Sequence, residues 1–199
     1  MITSVLIAVP TFESIIPETF KSIYGLRIPL GVSAQFDFIK GYDCAKARTE
    51  IAKEAIAHNF DYVLMVDSDV IIPSNTLDYM LNEPVDICLG VYPRKNTTTG
   101  QTEIFKLGHK DFTDKNNLNL SEIIEPGRID IKGGGLGCAL IKTSVFSKLP
   151  RPWFHYVVYN NDTCLSEDNF FCDRAASKGF KIQADTRVRC SHLVRTFIR

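Results

Sequence analysis

Apolar residues in this chain fall into short runs separated by polar or glycine-bearing stretches, and strand-like and helix-like spacings take turns. Residues 4–9 form a β-rich apolar run closed by Pro10 and Thr11, the pattern of a central strand whose end opens into a loop. A short helix is expected over 17–24. A second strand is expected over 34–39, where Phe36 and Phe38 alternate with Gln35 and Asp37. Cys44, Ile51, Ala52 and Ala55 recur at helical spacing within 44–58, and Asp43 precedes them as an N-cap. Residues 62–66 are a buried-strand run that stops abruptly at Asp67. Ser74 or Asn75 caps a short helix to 81, and 85–91 is again strand-like.

The pattern then lapses. Residues 94–128 are polar and rich in Thr, Asn, Lys and Gly, and read as long loops with one hairpin, a length that is usually functional or disordered. After the glycine run 133–137 come a strand over 138–142 and a helical turn over 144–148. Ser166 caps a further helix that ends at Gly179, a good C′ residue. Two last strands are expected over 180–184 and 188–192. Strands alternating with helices predict an α/β sandwich on a largely parallel sheet, with no internal repeat, linker or domain boundary.

Composition narrows the class. The 199 residues are 45% hydrophobic and 23% charged, ordinary for one soluble domain with a real core. Formal net charge is zero, which gives no sign of nucleic acid or an acidic membrane surface as partner. No apolar run approaches the ~20 residues of a membrane span, and the N-terminus lacks a secretory pattern. The six cysteines are scattered without a C-x-x-C pair, which argues against structural zinc. Reduced cysteines in a cytoplasmic compartment are the expectation. The N-x-T sites at Asn96 and Asn161 would then go unused.

The candidate chemistry centres on Asp67-Ser68-Asp69. Two carboxylates closing a strand this apolar are costly without a partner, and Mg²⁺ or Mn²⁺ typically bridges such groups to substrate phosphates. Residues two apart on an extended chain point the same way, so the pair would share a face. A plain strand-end cap is the alternative. His192 ends an apolar face made with Val188 and Cys190; it is either a hydrogen-bonded core histidine or a third metal ligand. Glu167 and Asp168 either favour a helix dipole or supply a general base. Arg48 interrupts an apolar helical stripe, so it either snorkels past the edge or reaches a nucleotide. The glycine run lacks the P-loop and dinucleotide spacings, and its expected use is close backbone approach to a ligand. Trp153, Phe154, His155 and Tyr156 offer an aromatic wall for a sugar or simply core.

Taken in order, these pieces resemble GT-A-fold glycosyltransferases, the large group of nucleotide-sugar-dependent inverting enzymes. Val9-Pro10-Thr11-Phe12 resembles the first strand and nucleotide loop. Ala47-Arg48 resembles an Ala-Arg-Asn element, with Thr49 in the Asn position. Val66-Asp67-Ser68-Asp69 matches D-x-D. The stretch from Gly135 through Gly137 to Ile141 resembles the strand beside the donor sugar, and Ser166-Glu167-Asp168 resembles the E-D motif. The resemblance runs from Val5 to His192 and implies a single GT-A domain over 1–199. It implies a nucleoside-diphosphate sugar donor, UDP-sugar favoured, and a hydroxyl acceptor. Asp168 or Glu167 would be the base. Pro10, Thr11, Arg48, Asp67, Ser68, Gly135 and Gly137 would hold the nucleotide sugar. Asp69, His192 and Asp67 would hold Mn²⁺ or Mg²⁺. Arg195 and Arg199 are candidate diphosphate contacts in a closing tail, and 94–128 is the place for acceptor contacts or a lid.

Three other classes compete. A haloacid-dehalogenase-like phosphatase puts D-x-D after its first strand, whereas here it lies far into the chain and Ile71 departs from the usual Thr or Val. A sugar nucleotidyltransferase would begin with a glycine-rich basic loop, and Pro10-Thr11-Phe12-Glu13 is not one. A non-catalytic nucleotide-sugar-binding module would have less reason to keep Glu167-Asp168.

Overall fold

The computed structural model describes residues 2–95, 100–109, 112, 116–159 and 164–194. In chain order these form strand β1 (Thr3–Thr11), helix α1 (Pro17–Tyr24), β2 (Val32–Lys40), α2 (Cys44–Ala57), β3 (Tyr62–Val66), β4 (Val70–Ile71), α3 (Thr76–Asn82), β5 (Ile87–Val91), β6 (Gln101–Lys106) and β7 (Asn117–Asn119). They continue with β8 (Arg128–Gly134), β9 (Cys138–Lys142), α4 (Thr143–Lys148), β10 (Val157–Val158), β11 (Cys164–Leu165), α5 (Glu167–Ser177), β12 (Ile182–Arg189) and β13 (Ser191–His192). A nine-stranded sheet runs in the order β2-β1-β3-β9-β5-β12-β8-β6-β7. Strands β1, β2, β3, β5, β12 and β6 share one direction, and β9, β8 and β7 oppose it.

The central strands are apolar throughout because both faces of the sheet are covered. Along β1, Leu6 and Ala8 join the core beneath α2, α4 and α5, while Val5, Ile7 and Val9 join the core beneath α1 and α3. Strand β3 divides the same way, with Val63 and Met65 on one face and Leu64 and Val66 on the other. Alternation of side chains across a strand is what sends neighbours to opposite layers. An aromatic cluster of Phe146, Trp153, Phe154 and Phe171 pins α4 and α5 to the sheet.

Two expected caps form: Asp43 accepts from the Lys46 N–H, and Ser166 accepts from the Asn169 N–H; before α3, Asn75 holds the N-cap position without a side-chain cap bond. Two expectations change. Within the described part of 94–128 the chain is not all loop: β6 and β7 pair antiparallel, and β8, which runs on through Gly133 and Gly134, pairs antiparallel with the other side of β6. The last two strands are one long strand, β12, followed by the short β13. Its pairing with β5 shifts register between Asp185 and Arg189, and this bulge bends the chain so that β13 leaves the sheet and pairs with β4. All six cysteines are free, with Cys44 and Cys164 exposed. Among the described residues no helix is long and apolar enough to cross a membrane. Arg195 and Arg199, and both N-x-T asparagines, lie outside the described residues.

Candidate active site

The main cleft has a volume of about 520 Å³ and opens where β1, β3 and β5 end and β9 begins. Ligands of open α/β sheets bind at the carboxyl ends of the strands for a geometric reason: there the chain leaves the sheet and loops can converge. Pro10, Asp67, Ser68, Asp69, Gly135, Asp168 and His192 line it, drawn from segments far apart in sequence.

Local chemistry holds these segments in place. The Thr11 hydroxyl donates to the Ser14 carbonyl at 2.6 Å, closing the loop after β1, and the Ile16 N–H donates to the Ser68 carbonyl. Thr11 itself is buried and does not line the cleft. Strand β9 starts directly opposite Val66, and the Asp67 N–H donates to the Gly137 carbonyl, so the glycine segment lies against the acidic pair.

Asp67 and Asp69 both line the cleft, but across a turn rather than as alternate residues of an extended strand. The Val70 N–H bonds back to the Asp67 carbonyl, the chain turns at Ser68, and the two carboxylates take different partners. Asp67 Oδ1 accepts from Arg48 Nη2 at 2.9 Å. Asp69 has other partners: its Oδ2 accepts from Lys95 Nζ at 2.5 Å, and its Oδ1 lies 3.6 Å from His192 Nε2. Burial alone would raise the Asp69 carboxyl, but the facing His192 ring and Lys95 ammonium outweigh it and bring it down to about 2. The β12 bulge and the β13–β4 pairing place His192 opposite Val70, one residue from Asp69. His192 Nδ1 lies 3.0 Å from the Pro93 carbonyl, so this nitrogen carries the proton and Nε2 points at Asp69.

The Lys95 ammonium sits on the Asp69 carboxylate, so a divalent cation would take this position only by displacing it or by using the other oxygen. Among the described residues no three His, Cys, Asp or Glu side chains converge as a complete metal cage. Asp69 and His192 nonetheless offer one carboxylate oxygen and one imidazole nitrogen, the latter oriented by a backbone carbonyl as metal-binding histidines usually are. Mg²⁺ and Mn²⁺ commonly take one or two protein ligands and complete their shell with phosphates and water.

Asp168 and Glu167 occupy the first turn of α5. Asp168 lines the cleft and its Oδ2 accepts from the Leu136 N–H at 3.2 Å. Burial, together with the nearby charges of Glu167 and Asp67, raises its carboxyl to about 7 against the opposing pull of Arg48. Glu167 turns inward to Arg48 Nη1 at 2.6 Å, and burial together with the Glu167 carboxylate pushes the Tyr156 phenol above its ordinary value. Arg48 is 1% exposed and does not line the cleft; its partners are carboxylates.

Several residues here are not legible from the sequence. Tyr92, just past β5, is buried; its hydroxyl accepts from the Gly137 N–H at 3.0 Å and its ring meets the His192 ring edge-on. A Cβ on Gly135 or Gly137 would collide with the Tyr92 hydroxyl. These glycines therefore make room for Tyr92 as much as for any ligand. The signal for Tyr92 was an aromatic residue directly after a buried apolar strand. Nothing in the polar stretch marked Lys95. The aromatic quartet divides: Trp153 and Phe154 are core, while His155 and Tyr156 are exposed.

No protein-family model matches the chain, and no curated protein matches its sequence. Solved structures do match its shape. The crystal structure of A197 from STIV superposes with a TM-score of 0.65 at 17% identity, over 97% of this chain and 87% of that one. GalNAc-T7 with UDP, GalNAc and Mn²⁺ gives a TM-score of 0.59 at 13% identity, over 98% of this chain. TarS 1-349 of S. aureus gives 0.52 at 16% identity, over 96% of this chain. This chain spans 44% of the GalNAc-T7 structure and 60% of the TarS structure. The fold is the GT-A fold of glycosyltransferase structures: a mixed, mostly parallel sheet between helices.

Proposed function

We propose that this chain is a metal-dependent glycosyltransferase that moves a sugar from a nucleoside-diphosphate sugar, UDP-sugar favoured, to a hydroxyl acceptor with inversion. The observation that carries the reading is the opposition of two kinds of carboxylate across one cleft. Asp69, held low beside His192, suits a cation site, and Asp168, raised to about 7, suits a general base. The likeness of fold to GalNAc-T7 with UDP and Mn²⁺, and to TarS, which has also been crystallised with UDP-GlcNAc, supports the choice of donor class.

In this reading Asp69 and His192 hold Mn²⁺ or Mg²⁺, which supplies charge neutralisation for the departing diphosphate. Asp67, the first acid of the D-x-D, assists them, contacting the ribose or a metal-bound water. Pro10 and Ser68 line the nucleotide side, Thr11 shapes its loop, and Gly135 and Gly137 let the donor approach the backbone. Asp168 accepts the proton of the acceptor hydroxyl as it attacks the anomeric carbon from the face opposite the diphosphate. The assignment covers one catalytic domain over 1–199.

A donor screen with and without Mn²⁺ tests it. Metal-dependent release of nucleoside diphosphate from a sugar nucleotide is the expected result. Binding of the sugar nucleotide without any hydrolysis or transfer would leave a non-catalytic module instead.

A further inference from the structure

We propose that Arg48 is a positioning residue that ties the donor side of the cleft to its base, rather than a ligand of the nucleotide. The inference rests on the glycosyltransfer reading of the same site. From helix α2 the guanidinium reaches two other segments at once. Nη2 donates to Asp67 at the end of β3, at 2.9 Å; Nη1 donates to Glu167 at 2.6 Å and lies 3.3 Å from Asp168, both at the start of α5. Asp67 and Asp168 both line the cleft, yet Arg48 lies behind its wall. A rigid planar fork is the side chain that can hold two such directions together, and a lysine ammonium, as a point charge, cannot reproduce it.

One guanidinium meets three carboxyl groups, from the end of β3 and the start of α5, and removing one partner of such a buried network leaves the others uncompensated. The guanidinium Nε, also buried, has no hydrogen-bond partner among the described residues. The arrangement therefore gathers more negative charge than Arg48 neutralises, which suits a cleft that receives a cation and a proton.

The test is R48K, with kcat and the donor KM read separately and with UDP affinity measured in Mg²⁺. Loss of about 10²-fold in kcat, as for a misplaced reacting group, with donor KM and UDP affinity within about threefold, is the expected result. A raised donor KM and weakened UDP binding with kcat intact would make Arg48 a nucleotide ligand and overturn the proposal, as would no change at all. Carboxyl ¹³C NMR of Asp168 supplies a readout without turnover: adding UDP and Mg²⁺ should move its signal in the wild type and move it severalfold less in R48K. Equal movement in both would also overturn the proposal. A wild type with no turnover of any donor would count against glycosyltransfer alone, and the NMR comparison would still decide the role of Arg48. Should near-UV circular dichroism show R48K unfolded, R48M/E167Q, which removes the cation with one of its carboxylates, is read by the same kcat split and NMR comparison.

Discussion

Asp69 and Asp168 are chemically near-identical side chains pushed in opposite directions by their neighbours. Asp168 sits buried among other carboxylates and is raised to about 7, so it ionises across neutral pH. Turnover should fall by about tenfold per pH unit well below that value, since only the ionised form accepts a proton. A pH–rate profile at saturating donor checks this, and a flat profile from pH 5 to 8 would move the base elsewhere. D168N should lose about 10²- to 10⁴-fold in kcat while UDP binding persists. For stability the signs are opposite. The depressed Asp69 contributes stability that is present above its ordinary value and lost as pH falls toward 2. The raised Asp168 favours the fold most at low pH and loses that contribution as pH rises from about 4 to 7. Tyr92→Phe would strip the buried Gly137 N–H of its acceptor and should cost about 1–3 kcal/mol, read as a lower denaturant midpoint. The Asp67–Asp69 pair was visible because carboxylates closing so apolar a strand are costly without a partner; Glu167 and Asp168 were visible only as an acidic first turn, which a helix dipole explains equally well. Their partners were not, since Arg48 meets Glu167 across 119 positions and no local pattern records such a contact.

Elements position these residues by their ends. Strand β3 stops at Val66 because Asp67 turns the chain, and β9 comes in antiparallel against it so that Gly137 meets Asp67. The strands and their caps were legible as runs and periodicities. The insertion of β9 between β3 and β5 was not, because pairing order is set by non-local packing. The β12 bulge was also hidden: two strands were expected over 180–184 and 188–192, and nothing local showed that they are one strand bent to deliver His192. Gly135→Ala tests this level. Its Cβ would overlap the Tyr92 hydroxyl, so either Tyr92 or the β8–β9 segment must move. The expected cost is about 1–3 kcal/mol, as for overpacking, with weakened UDP binding because the displaced backbone borders the cleft. Unchanged stability and unchanged UDP affinity would show that the segment adapts freely.

At the scale of the molecule, a GT-A fold recurs here at 17% identity or less to the solved structures described. In this chain the fold layers apolar strands between two helical layers and brings strand ends together at one cleft. Such a scaffold hosts more than one activity, so the site carries the functional argument. The central claim is that this cleft binds a nucleoside diphosphate through a cation held by Asp69 and His192. Thermal unfolding with UDP, in Mn²⁺ or in EDTA, measures it most directly. A ligand at about 100 times its Kd should stabilise by about 2.7 kcal/mol, a rise of roughly 5–10 °C for a domain of this size. The account predicts that rise in Mn²⁺ only, and its loss in D69A. An equal rise in EDTA, a rise retained by D69A, or no rise with any nucleoside diphosphate would contradict it.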